Sequence, residues 1–156
     1  KVQQMGSAQQ IYRQPQNRFV ADFIGRANFL PVRVVKKSGA GWLVDLAGVH
    51  LEVKAPADAN FAVDEEAIVL ARPESVRVEP VASNQPNQPA REVSAKAVSA
   101  TVRRVFYLGS QVEYEVERNG QMITVINYDP GESSLLMAGA QVNLEFAVEN
   151  LYLLTA

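Results

Sequence analysis

The chain has 156 residues, a formal net charge of −2, 47% hydrophobic and 21% charged residues, and no cysteine. That length supports one or two small domains with real cores. The missing thiols exclude disulfides, thiolate metal sites and cysteine nucleophiles, and no local excess of Lys and Arg marks a phosphate-binding face, since Lys36-Lys37 and Arg103-Arg104 are only pairs.

Ser7-Ala8-Gln9-Gln10 is a capping-box pattern, so a helix of about two turns is expected to run to Gln14 and to stop at Pro15. Asn17 is placed to cap a second short helix from Arg18 to Ile24, with Gly25 as its C-cap. Phe19 with Phe23, and Val20 with Ile24, fall four apart and form an apolar stripe. Helices this short are marginal alone. The stripe therefore needs a partner: the β region, a second copy of the chain, or an absent domain, of which residues 1–26 are expected to be the helical C-terminal end.

From Asn28 the hydrophobic period becomes two. Strands are expected at Phe29–Val35, Trp42–Leu46, Val49–Val53, Ala67–Leu70 and Val76–Val78, with a turn at Ser38-Gly39-Ala40-Gly41 and a break at Pro73-Glu74-Ser75. Residues 79–92 carry three of the eight prolines and read as a linker or a long hairpin tip. A second β-rich block follows: Val98–Phe106, then the alternating Val112–Glu117, an Asn119-Gly120 hairpin turn, Met122–Ile126, a loop at Asp129-Pro130-Gly131, and Val142–Val148. Ala71–Val78 aligns with Phe146–Leu153, each a strand, a Glu, a small polar residue and an apolar-x-apolar close. Two copies of a four-to-five-strand unit fit the length, and so many short strands suggest compact barrels, which leave few open edges.

The nucleotide-binding motifs G-x-x-x-x-G-K-[ST] and G-x-G-x-x-G are absent. His50 is the single histidine and reads as a solvent-facing strand residue. Ser110 has no triad context. Glu113, Glu115 and Glu117 share one strand face and read as a solvated surface rather than an acid–base pair; Trp42 reads as core. Two loops are less bland. The backbone of Tyr107-Leu108-Gly109-Ser110 can approach a ligand closely at Gly109, with Ser110 adding a hydroxyl; the plain alternative is a β-turn. Arg72-Pro73-Glu74-Ser75 sets opposite charges around a kink, suiting either an ion pair within the domain or a contact across a domain or subunit interface.

Val2–Ser7, Ile11-Tyr12, Pro15 and Asn17–Gly25 together resemble the stretch that closes the nucleotide-binding domain in ATP-binding subunits of bacterial ABC importers, with Ala8 where that family usually has proline. Asn28-Phe29-Leu30 resembles the entry into that family's C-terminal domain, called TOBE (transport-associated OB). Arg72-Pro73-Glu74 and Tyr107-Leu108-Gly109-Ser110 resemble its recurring marks. The resemblance implies an all-β fold of tandem OB-like small barrels (TOBE/MOP-like), preceded by the two short helices, with units at about 27–79 and 93–156 and a linker at 80–92. It further implies a regulatory and dimerisation role for an importer of polyamine, ferric iron or a related small solute. The partners would be the subunit's own nucleotide-binding domain, a second copy and transmembrane permease subunits, on the cytoplasmic face of a bacterial membrane. ATP and Mg belong only to the absent domain, so no catalytic, cofactor or metal residue is carried over. Arg72, Glu74, Tyr107, Gly109 and Ser110 are the candidate ligand or interface residues, and Phe19, Val20, Phe23 and Ile24 the candidate domain-contact stripe. A second reading is a small-ligand sensor taking oxyanions, metals or polyamines at the barrel junction. A third, an OB-type nucleic-acid binder, is disfavoured by 8% aromatics and the negative charge.

Overall fold

Ser7 caps the first helix: its hydroxyl accepts from the Gln10 backbone N–H while the Gln10 side chain accepts from the Ser7 N–H. In a computed structural model, which describes residues 2–39, 41–81, 97–128 and 135–156, this gives α1 (Ala8–Arg13). The Asn17 side chain accepts from Val20 N and starts α2 (Arg18–Ile24). Gly25 does not take the left-handed form expected of it but is extended, at φ 169°, so the carbonyls at the end of α2 need other donors.

Among the described residues ten strands follow: β1 (Asn28–Ser38), β2 (Gly41–Leu46), β3 (Val49–Val53), β4 (Glu66–Ala71), β5 (Val76–Pro80), β6 (Val98–Tyr107), β7 (Gln111–Arg118), β8 (Gln121–Tyr128), β9 (Gln141–Phe146) and β10 (Tyr152–Thr155). Short 3-10 turns, Pro73–Ser75 and Val148–Asn150, join β4 to β5 and β9 to β10. The strands make two antiparallel five-stranded sheets, of order β10-β4-β1-β2-β3 and β5-β9-β6-β7-β8. The two orders are the same if β6–β9 are matched to β1–β4 and β5 to β10. The first sheet curls until β3 meets β10, through a bridge between Lys54 and Tyr152 and a bond from Leu153 N to Lys54 O of 2.7 Å.

The strand pairing corrects the expected boundaries. The chain divides into residues 1–75 with 147–156, and residues 76–146. β5 follows β4 in sequence but pairs with β9, and β10 follows β9 but pairs with β4. Each unit therefore takes its fifth strand from the end of the other's segment, an arrangement that no local pattern encodes. Glu79 and Pro80 lie in β5 rather than in a linker; Asp129-Pro130-Gly131 and most of the 80–92 segment fall outside the described residues.

The repetition extends to detail. Both first strands carry a register shift, between Val34 and Lys36 in β1 and between Val102 and Arg104 in β6. Val34 bonds through N to Glu65 O (2.9 Å) and through O to Asp64 N (2.8 Å). Val102 does the same with Ala140 O (2.9 Å) and Gly139 N (2.7 Å). Asp64 and Gly139, at matching places, both have positive φ, 66° and 89°.

Alternation sets the cores. Leu30, Val32 and Val34 of β1 point inward with Val44, Leu51 and Val53, and Trp42 packs edge-on against Phe61 at 5.2 Å. Val102, Val112, Tyr114, Val116, Val125 and Leu144 fill the second core. β4 is buried from Ala67 to Ala71 without alternation because both its faces are covered. Val69 faces the barrel interior, while Leu70 packs with Tyr152, Leu154 and Ala21 of α2.

Candidate functional site

At the end of β4, an arginine follows a buried apolar run. Arg72 is only 4% exposed. Its Nη1 donates to Ala21 O (3.1 Å), Gly25 O (2.9 Å) and Arg26 O (3.0 Å), and its Nη2 donates to Tyr12 O (3.0 Å). These acceptors sit in or just beyond the last turns of α1 and α2, where orphan carbonyls carry the partial negative charge of the helix ends. One planar guanidinium thus serves as the C-cap of two helices. Lysine, a point charge on a flexible stem, has no such fork.

The guanidinium also lies over the Tyr12 ring, 4.1 Å from its centroid, and the Tyr12 hydroxyl donates to Glu74 Oε1 at 2.6 Å. Burial lowers the Arg72 pKa, and Tyr12 and Glu74 oppose that shift. Glu74 itself stays exposed. The ion pair expected between Arg72 and Glu74 is therefore replaced by an indirect link through Tyr12, because Arg72 turns its donors inward to the helix ends. Arg72 Nε is buried with no acceptor among the described residues, a desolvation cost of about 1–3 kcal/mol. Gly25 lets the Tyr12 ring approach: a Cβ there would lie 3.1 Å from Tyr12 Cε2. Tyr12 is the member of this cluster that was not among the candidate site residues. The signal was present in a charged residue directly after the apolar run Ala67–Ala71, which demands a buried partner.

The stripe divides. Val20 is buried, and the inward contact of α2 is made by Ala21 rather than by the phenylalanines. Phe19 (66% exposed) and Phe23 (80%) stack on each other at 6.2 Å and face outward, and Ile24 is exposed too. Arg18 adds a further tie, 4.7 Å over the Phe29 ring.

Tyr107, Gly109 and Ser110 lie on the β6–β7 turn of the other unit, so they do not join the Arg72 cluster within one unit. Leu108 N bonds to Gln111 O at 2.9 Å, and Gly109 has φ 80° with open space beside it. The turn leaves Phe106, Tyr107 and Leu108 exposed in a row.

The glutamate face of β7 is less solvated than expected. Glu113 is buried. Glu115 pairs with Arg104, and Glu117 pairs with Arg103, whose Nε donates at 3.0 Å. The register shift in β6 is what offers two consecutive arginines to one face. Glu117 Oε1 also accepts from Gly120 N at 2.8 Å, and the Arg103 bond, then the Gly120 bond, hold this carboxyl below its ordinary pKa. His50 is exposed and Trp42 is core, both as expected.

A family model described as the TOBE domain matches residues 69–154, from β4 through β10. The chain belongs to the TOBE domain family. Among curated relatives, the spermidine/putrescine import ATP-binding protein PotA of Pseudomonas fluorescens is 33% identical over 127 residues, covering 80% of this chain and 31% of that protein. Its namesake in Rubrobacter xylanophilus is 32% identical over 146 residues, covering 92% and 36%. The Fe(3+) ions import ATP-binding protein FbpC of Escherichia coli K12 is 34% identical over 122 residues, covering 78% and 29%. The chain thus spans about a third of the length of these relatives. A crystal structure of the cytoplasmic molybdate-binding protein ModG, with molybdate bound, shares the fold at a TM-score of 0.64 and 16% identity, covering 83% of this chain and 96% of that one. The all-β architecture of tandem OB-like barrels after two short helices is therefore as expected for this TOBE chain. Among the described residues, no helix is long and apolar enough to cross a membrane, and no group of three His, Cys, Asp or Glu could hold a metal ion.

Proposed function

We propose that this TOBE chain is the non-catalytic regulatory and dimerisation module of the ATP-binding subunit of an importer, the solute being a polyamine, ferric iron or a related small species. Its partners are the subunit's own nucleotide-binding domain, a second copy of the subunit and membrane permease subunits, and it works at the cytoplasmic face of the membrane. ATP and Mg act in the nucleotide-binding domain and not on these residues. The observation that carries this reading is the Arg72 site. A helical segment whose sequence resembles the end of a nucleotide-binding domain is fastened to a β unit through four backbone carbonyls, while Phe19 and Phe23 are left outward for a further partner.

The chain alone is expected to hydrolyse no ATP above buffer background. Turnover that a substitution within these 156 residues abolishes would refute the non-catalytic role. In the parent subunit, removal of the β region after Arg26 should spare ATP hydrolysis and abolish control of uptake. Unchanged control would refute the regulatory role.

The fold shared with a molybdate-binding protein favours a second reading, that the barrels also sense a small ligand. Calorimetry with molybdate, ferric citrate and spermidine separates the two: saturable heat with one of them supports sensing, and silence with all three refutes it for these classes.

A further inference from the structure

We propose that Arg72, with Tyr12 and Glu74, is a clasp that positions the N-terminal helical segment on the first unit and that the β fold itself does not need. Three observations lead there.

The first is where the bonds go. Among the described residues, every acceptor of the Arg72 Nη atoms lies between Tyr12 and Arg26, and none is in a strand. A residue stabilising the barrel would bond to the barrel.

The second is an internal comparison that the duplicated chain supplies. Phe146–Leu153 repeats Ala71–Val78 as strand, 3-10 turn and strand. The two turns close alike, with Ser75 N on Arg72 O at 2.8 Å and Asn150 N on Ala147 O at 2.8 Å. The carboxylate recurs as Glu149, but the position of Arg72 is held by Ala147. The same backbone path is thus built with a methyl group in the place of the guanidinium. Among the described residues, the two helices are what the first copy carries and the second does not, and the arginine answers to them.

The third is the cost. A guanidinium at 4% exposure, with no direct carboxylate hydrogen bond and an unbonded Nε among the described residues, is expensive to desolvate. The helix-end carbonyls offset this by dipole and hydrogen bond together. The segment is itself tied into one piece: the Gln4 side chain donates to Gln14 O at 2.9 Å and accepts from Gln16 N at 2.9 Å, bridging the Pro15 break. Opening the clasp therefore frees α1 and α2 as a body rather than unravelling them one at a time. On the accessory-module reading given above, this is the joint that passes motion between the segment and the first barrel, although the clasp itself rests on geometry alone.

The test is amide hydrogen exchange on the whole chain. Arg72→Met keeps an apolar stem and removes the donors. Exchange in 8–26 is expected to rise at least about tenfold, while amides of β1–β4 and β6–β9 change by less than about threefold. Arg72→Lys should not restore protection, and Ala147→Met, at the matching turn, should leave 8–26 unchanged. Tyr12→Ala leaves the guanidinium in place but removes its platform and the bond to Glu74, and should also loosen 8–26 alone. Equal loosening of strands and helices, failure of Arg72→Met to fold, or full protection of 8–26 in both the Met and the Tyr12→Ala variants would each overturn the clasp. ATP hydrolysis and uptake do not enter this readout, so its failure is distinct from failure of the proposed function.

Discussion

Leu154→Ala distinguishes the exchanged pairing from a division of the chain by sequence order. Leu154 is 1% exposed in β10 and packs on Leu70, Tyr152 and Ala21. Truncation removes three carbons, worth about 2.4 kcal/mol in transfer, and the cavity term raises the loss to about 2.5–4 kcal/mol. For a body of about 60–100 residues, 3 kcal/mol lowers the Tm by roughly 12–24 °C, and it accelerates exchange through the affected opening roughly a hundredfold. The informative quantity is where that loss falls. β10 pairs with β4, so amides of β1, β2 and β4 should lose protection, although they precede the substitution by more than eighty residues (Ala71 against Leu154). Calorimetry gives the magnitude, and exchange read by mass spectrometry gives the location. If β6, β7 and β9 lose protection first while β1–β4 keep theirs, the exchange of fifth strands is refuted.

Two further outcomes follow from single contacts. The folded pKa of Glu117 is depressed, so its contribution to stability is present above the unfolded carboxylate range and is lost as pH falls through the folded value. Urea midpoints for Glu117→Gln should therefore depend less on pH on the acid side than those of the parent chain, and matching slopes would show that the pair with Arg103 is not linked to folding. Gly41→Ala would place a Cβ 2.4 Å from Val53 O within the β2–β3 pair; the backbone must shift, at about 1–3 kcal/mol, and a loss below about 0.5 kcal/mol by urea denaturation would contradict the close approach.

Much of the local structure was legible because local chemistry decides it. Ser7 with Gln10, and Asn17 before the amphipathic Arg18–Ile24, placed both helices within a residue. Asn119-Gly120 fixed a hairpin whose turn residues have φ of 49° and 80°. The likeness of Ala71–Val78 to Phe146–Leu153 pointed to the duplication, and the strand orders bear out that the two units are built alike. The illegible parts depend on long-range partners. Val76–Val78 and Leu151–Leu153 look interchangeable by composition, so nothing local says which sheet each joins. Of the expected stripe Val20 alone is buried, and the close contact passes to its neighbour Ala21, whose small side chain lets the helix lie against Leu70. The one-residue shift in β6 moved Arg104 onto the glutamate face, opposite Glu115, an event that a strict period of two cannot foresee. The role of Arg72 was half visible: its charge and kink suggested an interface, but its acceptors are backbone atoms, and these leave no trace in side-chain patterns.

The crossed fifth strands also impose an order on biosynthesis. β4 emerges from the ribosome long before its neighbour β10, with all of β5 to β9 between them. At about 5–20 residues per second, the roughly eighty residues from Ala71 to Tyr152 take about 4–16 s to make. Through that interval the apolar run Ala67–Ala71 presents an unpaired edge, a ready template for mispairing. Among the described residues, α2 is a same-unit segment already made that covers its outer face, through Ala21 on Leu70. A segment that steadies the finished module would thus act first as a chaperone in cis for the nascent one.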